Sequence, residues 1–189
     1  MAPHDKLAVV TGASSGIGYE LARVFAENGY DLLVTSGSEK IEKAAPDFSN
    51  LSVEVKTVEA DLTTYDGVEK LWSEIQSMGR PVDAIAINAG IGAYGDFARE
   101  SDLDEELKLI QLNVTSTVHL AKRVLKDMVA RGAGKVLLTS SIARNRASAP
   151  LSCVRRVQGI WSFLRSGHPA RIEGYWSDRH CAATGRNRY

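Results

Sequence analysis

Short apolar runs alternate with amphipathic stretches along the first three quarters of the chain. Residues 7–11 and 31–35 are largely apolar, which is typical of strands buried on both faces of a sheet. Residues 53–58 alternate between apolar and polar side chains and predict a more exposed strand. The pattern predicts strands at 7–11, 31–35, 53–58, 82–87 and 135–139, and helices at 16–28, 39–45, 64–77 and 103–131. Strands that alternate with helices indicate a parallel sheet with right-handed crossovers, the doubly wound α/β class.

The spacing of apolar residues also predicts which helix faces are buried. In the first helix the apolar side chains are Ile17, Leu21, Val24 and Phe25, and Gly29 follows as its stop. The longest helix, residues 103–131, shows apolar positions that step by three or four and form one stripe. Its members are Leu107, Ile110, Val114, Val118, Ala121, Leu125 and Met128.

The character of the sequence changes after Ala143. Residues 1–143 contain 14 Lys and Arg against 21 Asp and Glu, whereas residues 144–189 contain nine Arg, no Lys and two acids. The second segment shows no period of 2 or 3.6 residues. We therefore expect a Rossmann-like, doubly wound domain over residues 1–143, truncated after its fifth strand. Residues 144–189 are expected to form an irregular, arginine-rich tail.

Composition narrows the range of functions. The formal net charge is zero and 44% of residues are hydrophobic, so neither a nucleic-acid partner nor a membrane partner is expected. No apolar run reaches the roughly 20 residues of a membrane span. The two cysteines, Cys153 and Cys181, do not suggest a disulfide framework, and a cytoplasmic location is expected. The histidines are scattered without the spacing of metal ligands, so no metal site is predicted.

The first predicted strand runs into a glycine-rich turn. Residues 11–18 read T-G-A-S-S-G-I-G and open the first helix. Glycines permit a tight turn and a close approach of the backbone to a pyrophosphate, and a helix N-terminus attracts phosphate through its free N–H groups. The candidate cofactor-binding residues here are Gly12, Ser14, Ser15, Gly16, Ile17 and Gly18.

This turn resembles the cofactor loop of the short-chain dehydrogenase/reductase family. Further family motifs follow in order within residues 6–143. Asp61 and Leu62 match the pair that touches the adenine ring of the cofactor, and Asn113 matches the asparagine that holds a proton-relay water. Three consecutive residues after the fourth strand match the motif that borders the cofactor, namely Asn88, Ala89 and Gly90.

The resemblance also implies a reaction and a substrate. Ser140-Ser141 follows the fifth strand, and its second member, Ser141, matches the active-site serine that hydrogen-bonds the substrate oxygen. The implied activity is hydride transfer between a nicotinamide cofactor and a small-molecule carbonyl compound or secondary alcohol. Pairing of chains through residues 103–131, as a homo-oligomer, is a further expectation from the family.

The end of the second strand bears on the choice between NADP and NAD. Sites that prefer NAD usually carry a carboxylate there to bond the ribose 2′-hydroxyl. This chain has Thr35, Ser36 and Gly37, and Asp31 lies at the other end of the strand. The missing acid removes repulsion against a 2′-phosphate, to which Ser36 could donate a hydrogen bond. NADP is therefore the preferred prediction and NAD the alternative.

The catalytic tyrosine and lysine of the family are absent from their expected places. Thirteen residues after Ser141 stands Val154, and four residues further stands Gln158. Valine has no proton to give, and glutamine has no charge with which to lower a tyrosine pKa. The alternative function is therefore a non-catalytic dinucleotide-binding remnant or pseudoenzyme.

A shifted reading frame would explain the tail. Moving the frame by one base from Arg144 onward, with permitted codons, yields Y-G-A-S-K with a tyrosine at position 154 and a lysine at position 158. The disagreement between local signals and the fold after residue 143 supports this hypothesis. On this hypothesis the dinucleotide-binding segment, 1–143, is in frame and the segment 144–189 is not.

Overall fold

A parallel sheet organises the part of the chain that the structure describes. The computed structural model describes residues 6–92 and 97–139, and within these ranges five strands lie in the order β3-β2-β1-β4-β5. The strands are β1 Lys6–Thr11, β2 Tyr30–Ser36, β3 Val55–Glu59, β4 Ala84–Ile87 and β5 Lys135–Leu138. The helices are α1 Gly16–Glu27, α2 Lys40–Ser49, α3 Tyr65–Ser77, α4 Leu103–Ile110 and α5 Ser116–Arg131, with a π-helical segment, Gln111–Thr115, between the last two.

The predicted doubly wound α/β fold is confirmed. All four strand pairs are parallel, and β1 lies at the centre between β2 and β4. The predicted end of the sheet after β5 and the tail 144–189 lie outside the described residues. The domain boundary at residue 143 therefore stays a prediction.

The helices cover both faces of the sheet. One core joins α3 and α5 to one face and includes Leu71, Leu120 and Val124. The other core joins α1 and α2 to the opposite face and includes Ala22 and Phe48. The helices that follow β1 and β4 therefore lie on opposite faces. The carboxyl ends of these neighbouring strands border a crevice, the usual ligand position in this class of fold.

The predicted buried face of α1 is only partly right, because Leu21 and Phe25 pack half-buried against the core whereas Ile17 and Val24 do not. The helix buries Gly18, Ala22 and Ala26, while Ile17 is 63% exposed and Val24 is 48% exposed. Small side chains allow the helix backbone to approach the sheet closely. A Cβ atom on Gly18 would overlap the carbonyl oxygen of Gly12. Close packing of this helix against the glycine turn therefore outweighs the burial of its larger apolar side chains.

The long helix is confirmed from Leu103 to Arg131, but its predicted stripe is rotated from the buried face. Ala121 and Met128 are buried as predicted, whereas Leu107 is 49% exposed and Val118 is 39% exposed. The buried face consists of Glu106, Leu109, Ser116, Thr117, Leu120, Ala121, Val124 and Met128. Apolar residues occur on two sides of this helix and some buried positions are polar, so hydrophobicity alone does not select the face.

None of the helices in residues 6–92 and 97–139 combines the length and the apolar content that a membrane span requires.

Candidate functional site

The glycine turn lies at the carboxyl end of β1 and is tied to the end of β2. The N–H groups of Gly12 and Ala13 donate to the carbonyl oxygen of Thr35, at 2.8 and 3.1 Å. Gly12 has a φ of +69°, and a Cβ atom there would lie 2.9 Å from the Cα atom of Ala89. Any side chain at this position would push the turn away from the end of β4. Glycine is thus required here on two independent grounds.

The N-terminus of α1 is left without a side-chain cap. Ser15 precedes the helix in extended conformation and makes no capping hydrogen bond, and the first turn contains no acidic residue. Ser15, Gly16 and Ile17 are exposed, and Ser14 is half-buried. The N–H groups of the first turn and the positive end of the helix dipole therefore remain free to bind an anion.

The predicted cofactor-bordering motif is fastened to β1 by a threonine. The Thr11 hydroxyl oxygen accepts hydrogen bonds from the N–H groups of Asn88 and Ala89, both at 2.9 Å. The Asn88 side-chain amide donates to the Thr11 carbonyl oxygen at 3.2 Å. The Thr139 hydroxyl in turn donates to Asn88 Oδ1 at 2.8 Å. The carboxyl ends of β1, β4 and β5 are thus joined by side chains.

Sequence reasoning missed Thr11 and Thr139 as members of the site. Thr11 is fully buried and opens the glycine turn, and Thr139 directly follows β5. A hydroxyl residue at the end of a buried strand is the only signal that the sequence offers. Their partners lie 77 and 51 residues away along the chain, so the contacts depend on the strand order.

Asn113 lies in the π-helical segment and binds the loop that follows β4. Its Oδ1 accepts from the N–H of Ile91 at 3.0 Å, and its Nδ2 donates to the Ile91 carbonyl oxygen at 2.8 Å. A Cβ atom on Gly90 would lie 3.1 Å from Asn113 Oδ1. The structure therefore brings Asn113 to the predicted cofactor-bordering motif. π-Helical segments within α-helices frequently occur at functional sites.

Asp61 and Leu62 differ sharply in exposure. The Asp61 carboxylate is exposed and accepts from the N–H and the hydroxyl of Thr63, at 2.9 and 2.8 Å. Leu62 is only 6% exposed and belongs to the core beneath α3.

The surroundings of these two residues include a close backbone contact and a cavity. The sequence analysis did not single out Gly67, although a Cβ atom there would overlap the Asp61 carbonyl oxygen. A cavity of about 270 Å³ opens beside Leu62, and Gln111 is also among its lining residues.

At the end of β2, the Ser36 hydroxyl is engaged in its own turn. Ser36 is 7% exposed, and its hydroxyl donates to the Ser38 carbonyl oxygen at 2.7 Å. The predicted hydrogen bond from Ser36 to a 2′-phosphate would require this local bond to break. Asp31 lies at the opposite end of β2, fully buried, where its carboxylate accepts from the Glu54 N–H and pairs with Arg80 at 2.7 Å.

An ionic cluster joins α3 to α5, and its member His119 lines the cavity. Glu69 contacts His119 Nε2 at 2.6 Å and accepts two hydrogen bonds from Arg123, each at 2.9 Å. Burial raises the pKa of the Glu69 carboxyl, but the hydrogen bonds from Arg123 and His119 outweigh it, so the pKa is lowered overall. Within the described ranges, no group of three His, Cys, Asp or Glu side chains could hold a metal ion.

The predicted active-site serine, Ser141, lies outside the described residues, and so do Val154 and Gln158. Thr139 is the last described residue before them. It lies at the same edge of the sheet as the glycine turn and Asn88, because its hydroxyl binds Asn88.

Comparison with known proteins identifies the family. The family model described as short chain dehydrogenase matches residues 6–153. The chain belongs to the short-chain dehydrogenase/reductase family. This membership confirms the resemblance drawn from the sequence motifs. The matched range ends at residue 153, whereas those motifs span residues 6–143.

Relatives and solved structures agree with this membership. The chain is 30% identical over 145 residues to oxidoreductase UcpA of Salmonella typhimurium, covering 77% of this chain and 55% of that protein. L-Sorbose reductase from Gluconobacter frateurii, solved with NADPH and L-sorbose, superposes with a TM-score of 0.76 at 26% identity, covering 87% and 63% of the two chains. An NAD⁺-bound xylitol dehydrogenase superposes with a TM-score of 0.76 at 25% identity, covering 87% and 64%. The chain spans about half the length of the curated relatives it matches.

Proposed function

We propose that the crevice at the carboxyl ends of β1 and β4 binds a nicotinamide dinucleotide. The reaction proposed for the lineage is hydride transfer between this cofactor and a small carbonyl compound or secondary alcohol. The observation that carries the proposal is the glycine turn held against Ala89, with an uncapped helix N-terminus above it. This arrangement leaves room and N–H donors for a pyrophosphate.

Each part of the crevice has a separate proposed role. The turn 11–18 and the first turn of α1 would hold the pyrophosphate. Asn88, Ala89 and Gly90 would border the cofactor, with their backbone fixed by Thr11. Asp61 would bind the adenine end, where its exposed carboxylate is available. The nicotinamide, when bound, supplies or accepts the hydride.

NADP is the proposed preference, with NAD as the alternative. Residues 35–37 carry no carboxylate that would repel a 2′-phosphate, which favours NADP. Ser36 supports this preference less than the sequence suggested, because its hydroxyl is bound to Ser38. The NADPH-bound sorbose reductase and the NAD⁺-bound xylitol dehydrogenase are both compatible with the same fold. Parallel titrations with NADPH and NADH measure the preference.

The second candidate function is a dinucleotide-binding remnant without catalysis. It is favoured by Val154 and Gln158, which occupy the places of the family's tyrosine and lysine. Consumption of NADPH by the purified chain, measured with a panel of ketones and aldehydes, separates the two candidates. Turnover would support the oxidoreductase, and binding without turnover would support the remnant.

The reading-frame hypothesis has its own direct test. Determining the nucleotide sequence across codons 143 to 145 would show whether one added or missing base shifts the frame. A corrected frame should restore a tyrosine at position 154 and a lysine at position 158. A chain with those residues should turn over a carbonyl substrate if the oxidoreductase proposal is right.

Self-association through residues 103–131 is also proposed. Several apolar side chains of this helix are exposed, among them Leu103 at 69%, Leu107 at 49% and Val129 at 56%. A contiguous patch of exposed apolar side chains is typical of protein interfaces, and Leu103 and Leu107 lie about one helical turn apart in α4. Light scattering after size-exclusion chromatography would give the mass. A monomer at all concentrations would contradict the proposal.

A further inference from the structure

We propose that Thr139 is a positioning residue of the dinucleotide site, which acts through Asn88. The inference rests on the proposed function for its ligand, but its structural part can be tested without one. Thr139 carries no role in the motifs considered above. Its hydroxyl makes the one described side-chain hydrogen bond between the end of β5 and the cofactor-bordering motif.

The Thr139–Asn88 bond begins where the backbone ladder ends. The last paired residues of β4 and β5 are Ile87 and Leu138. One further backbone bond, from the Thr139 N–H to the Ile87 carbonyl oxygen, is long at 3.3 Å. The side-chain bond at 2.8 Å is shorter. The position of Thr139 relative to Asn88 therefore depends on this side-chain bond together with one long backbone bond.

The orientation of the Asn88 amide determines that Thr139 donates. The Thr11 carbonyl oxygen lies 3.2 Å from Asn88 Nδ2, and a carbonyl can only accept. Oδ1 must therefore face away from Thr11, toward the Thr139 hydroxyl, which donates its proton. A valine at position 139 would keep the shape of the side chain but remove the donor. Asn88 Oδ1 would then lose the partner that holds it.

Asn88 transmits this constraint to the phosphate side of the crevice. A Cβ atom on Gly18 would lie 2.5 Å from Asn88 Nδ2, so the amide is packed against the first turn of α1. The Asn88 backbone N–H is bound by Thr11, the first residue of the glycine turn. Thr139 precedes Ser141 by two residues in the sequence. The hydrogen bonds that join Thr11, Asn88 and Thr139 therefore couple the proposed phosphate-binding turn to the residue two positions before the predicted serine.

The experiment compares Thr139→Val with Thr139→Ser in the full chain. Thr139→Val should weaken NADPH binding about fivefold, the effect of losing one half-buried hydrogen bond. Thr139→Ser keeps the hydroxyl and should restore affinity to within about twofold. Thr57→Val is the matched control, because Thr57 is also a strand residue whose hydroxyl binds a side chain, that of Glu42 at 2.6 Å. It should leave NADPH affinity unchanged.

Hydrogen exchange supplies a readout that needs no ligand. In Thr139→Val, the amide protons of Asn88 and Ala89 should exchange faster, while those of Val9 and Val10 in β1 stay unchanged. A double-mutant cycle with Asn88→Ala should show non-additive effects on exchange at Ala89. Such coupling is expected only if Thr139 acts through Asn88, and a general loss of stability would accelerate exchange throughout the sheet.

The outcomes separate this inference from the proposed function. Faster local exchange and weaker binding in Thr139→Val, both rescued by serine, would support the inference. Unchanged exchange at Asn88 and Ala89 would overturn it, whatever the affinity. If the unaltered chain binds no dinucleotide, the proposed function fails, and the exchange data alone decide whether Thr139 positions Asn88.

Discussion

Different side chains join the strands at the two ends of the sheet. We call the end where the parallel strands begin the amino edge and the end where they finish the carboxyl edge. At the amino edge, carboxylates bind backbone N–H groups: Asp83 accepts from Leu7 at 2.9 Å and Asp31 accepts from Glu54 at 2.8 Å. At the carboxyl edge of β1, β4 and β5, the corresponding links come from the neutral side chains of Thr11, Asn88 and Thr139.

This difference explains why an anion site is expected at only one edge. A carboxylate at the amino edge repels phosphate and already satisfies nearby donors. At the carboxyl edge, neutral links hold the strands together without adding negative charge, and the N-terminus of α1 is uncapped. The positive end of the α1 dipole then lies beside the glycine turn. The amino edge therefore mainly stabilises the fold, whereas the carboxyl edge leaves backbone N–H donors free for a ligand.

The largest expected effect comes from breaking the amino edge. Asp31→Asn removes a fully buried negative charge that pairs with Arg80, whose side chain is 20% exposed. Loss of one member of a buried pair should cost about 3–5 kcal/mol in the free energy of unfolding. Urea denaturation measures this cost. A loss under about 1 kcal/mol would contradict a stabilising role for this edge.

The next effect tests the close approach at the carboxyl edge. Gly12→Ala should lower the unfolding free energy by about 2–3 kcal/mol and abolish dinucleotide binding, because it adds a clash with Ala89 to the strain of positive φ. Gly79→Ala is the matched control, since Gly79 has a φ of +65° and open space around its Cβ position. It should cost about 1 kcal/mol and leave binding intact. Equal losses in the two variants would show that the contact with Ala89 is unimportant.

A smaller effect follows from placing a charge at the neutral edge. Ser36→Asp should weaken NADPH binding about tenfold through repulsion of the 2′-phosphate and leave NADH binding at least as strong. Ser36→Asn has a similar shape without the charge and serves as the control. Competition titrations with both cofactors measure the ratio. An unchanged ratio in Ser36→Asp would place the 2′-position away from the end of β2.

The smallest effect concerns an ion pair that belongs to neither edge. The folded-state pKa of Glu69 is depressed below its ordinary value of 4.5, so its stabilisation is present above that value and is lost as the pH falls through the folded pKa. Glu69→Gln should flatten the acid limb of the plot of melting temperature against pH. NADPH affinity at neutral pH should stay the same. An identical acid limb in both proteins would rule out this contribution.

Sequence patterns predicted the strands and helices better than they predicted which helix faces are buried. Apolar runs such as residues 7–11 identify central strands because both faces of a parallel sheet are buried. The face of α1 was predicted only in part, because small residues, Gly18 and Ala22, are its fully buried positions and Leu21 and Phe25 are half-buried. For α5, the predicted stripe was rotated from the buried face because apolar residues occur on two sides of the helix. Only the strand positions in space determine which side is covered.

The candidate site shows the same limit. Residues in short local motifs were predicted from the sequence, whereas contacts between residues far apart in the chain were not. The glycine turn and Asn113 were predicted because family motifs record them as short local patterns. Thr11 and Thr139 were missed because their role depends on Asn88, which only the sheet brings to them. Ser36 was expected to reach a phosphate, but its hydroxyl donates a hydrogen bond to the Ser38 carbonyl oxygen. Local competition of this kind is not visible in a motif.

Calorimetric titration of the full chain with NADPH and with NADH tests the central claim most directly. We expect saturable heat of binding at ligand concentrations no higher than millimolar, which Gly12→Ala abolishes and Gly79→Ala preserves. The absence of binding heat for both cofactors at millimolar concentration would show that the carboxyl edge of the sheet is not a dinucleotide site.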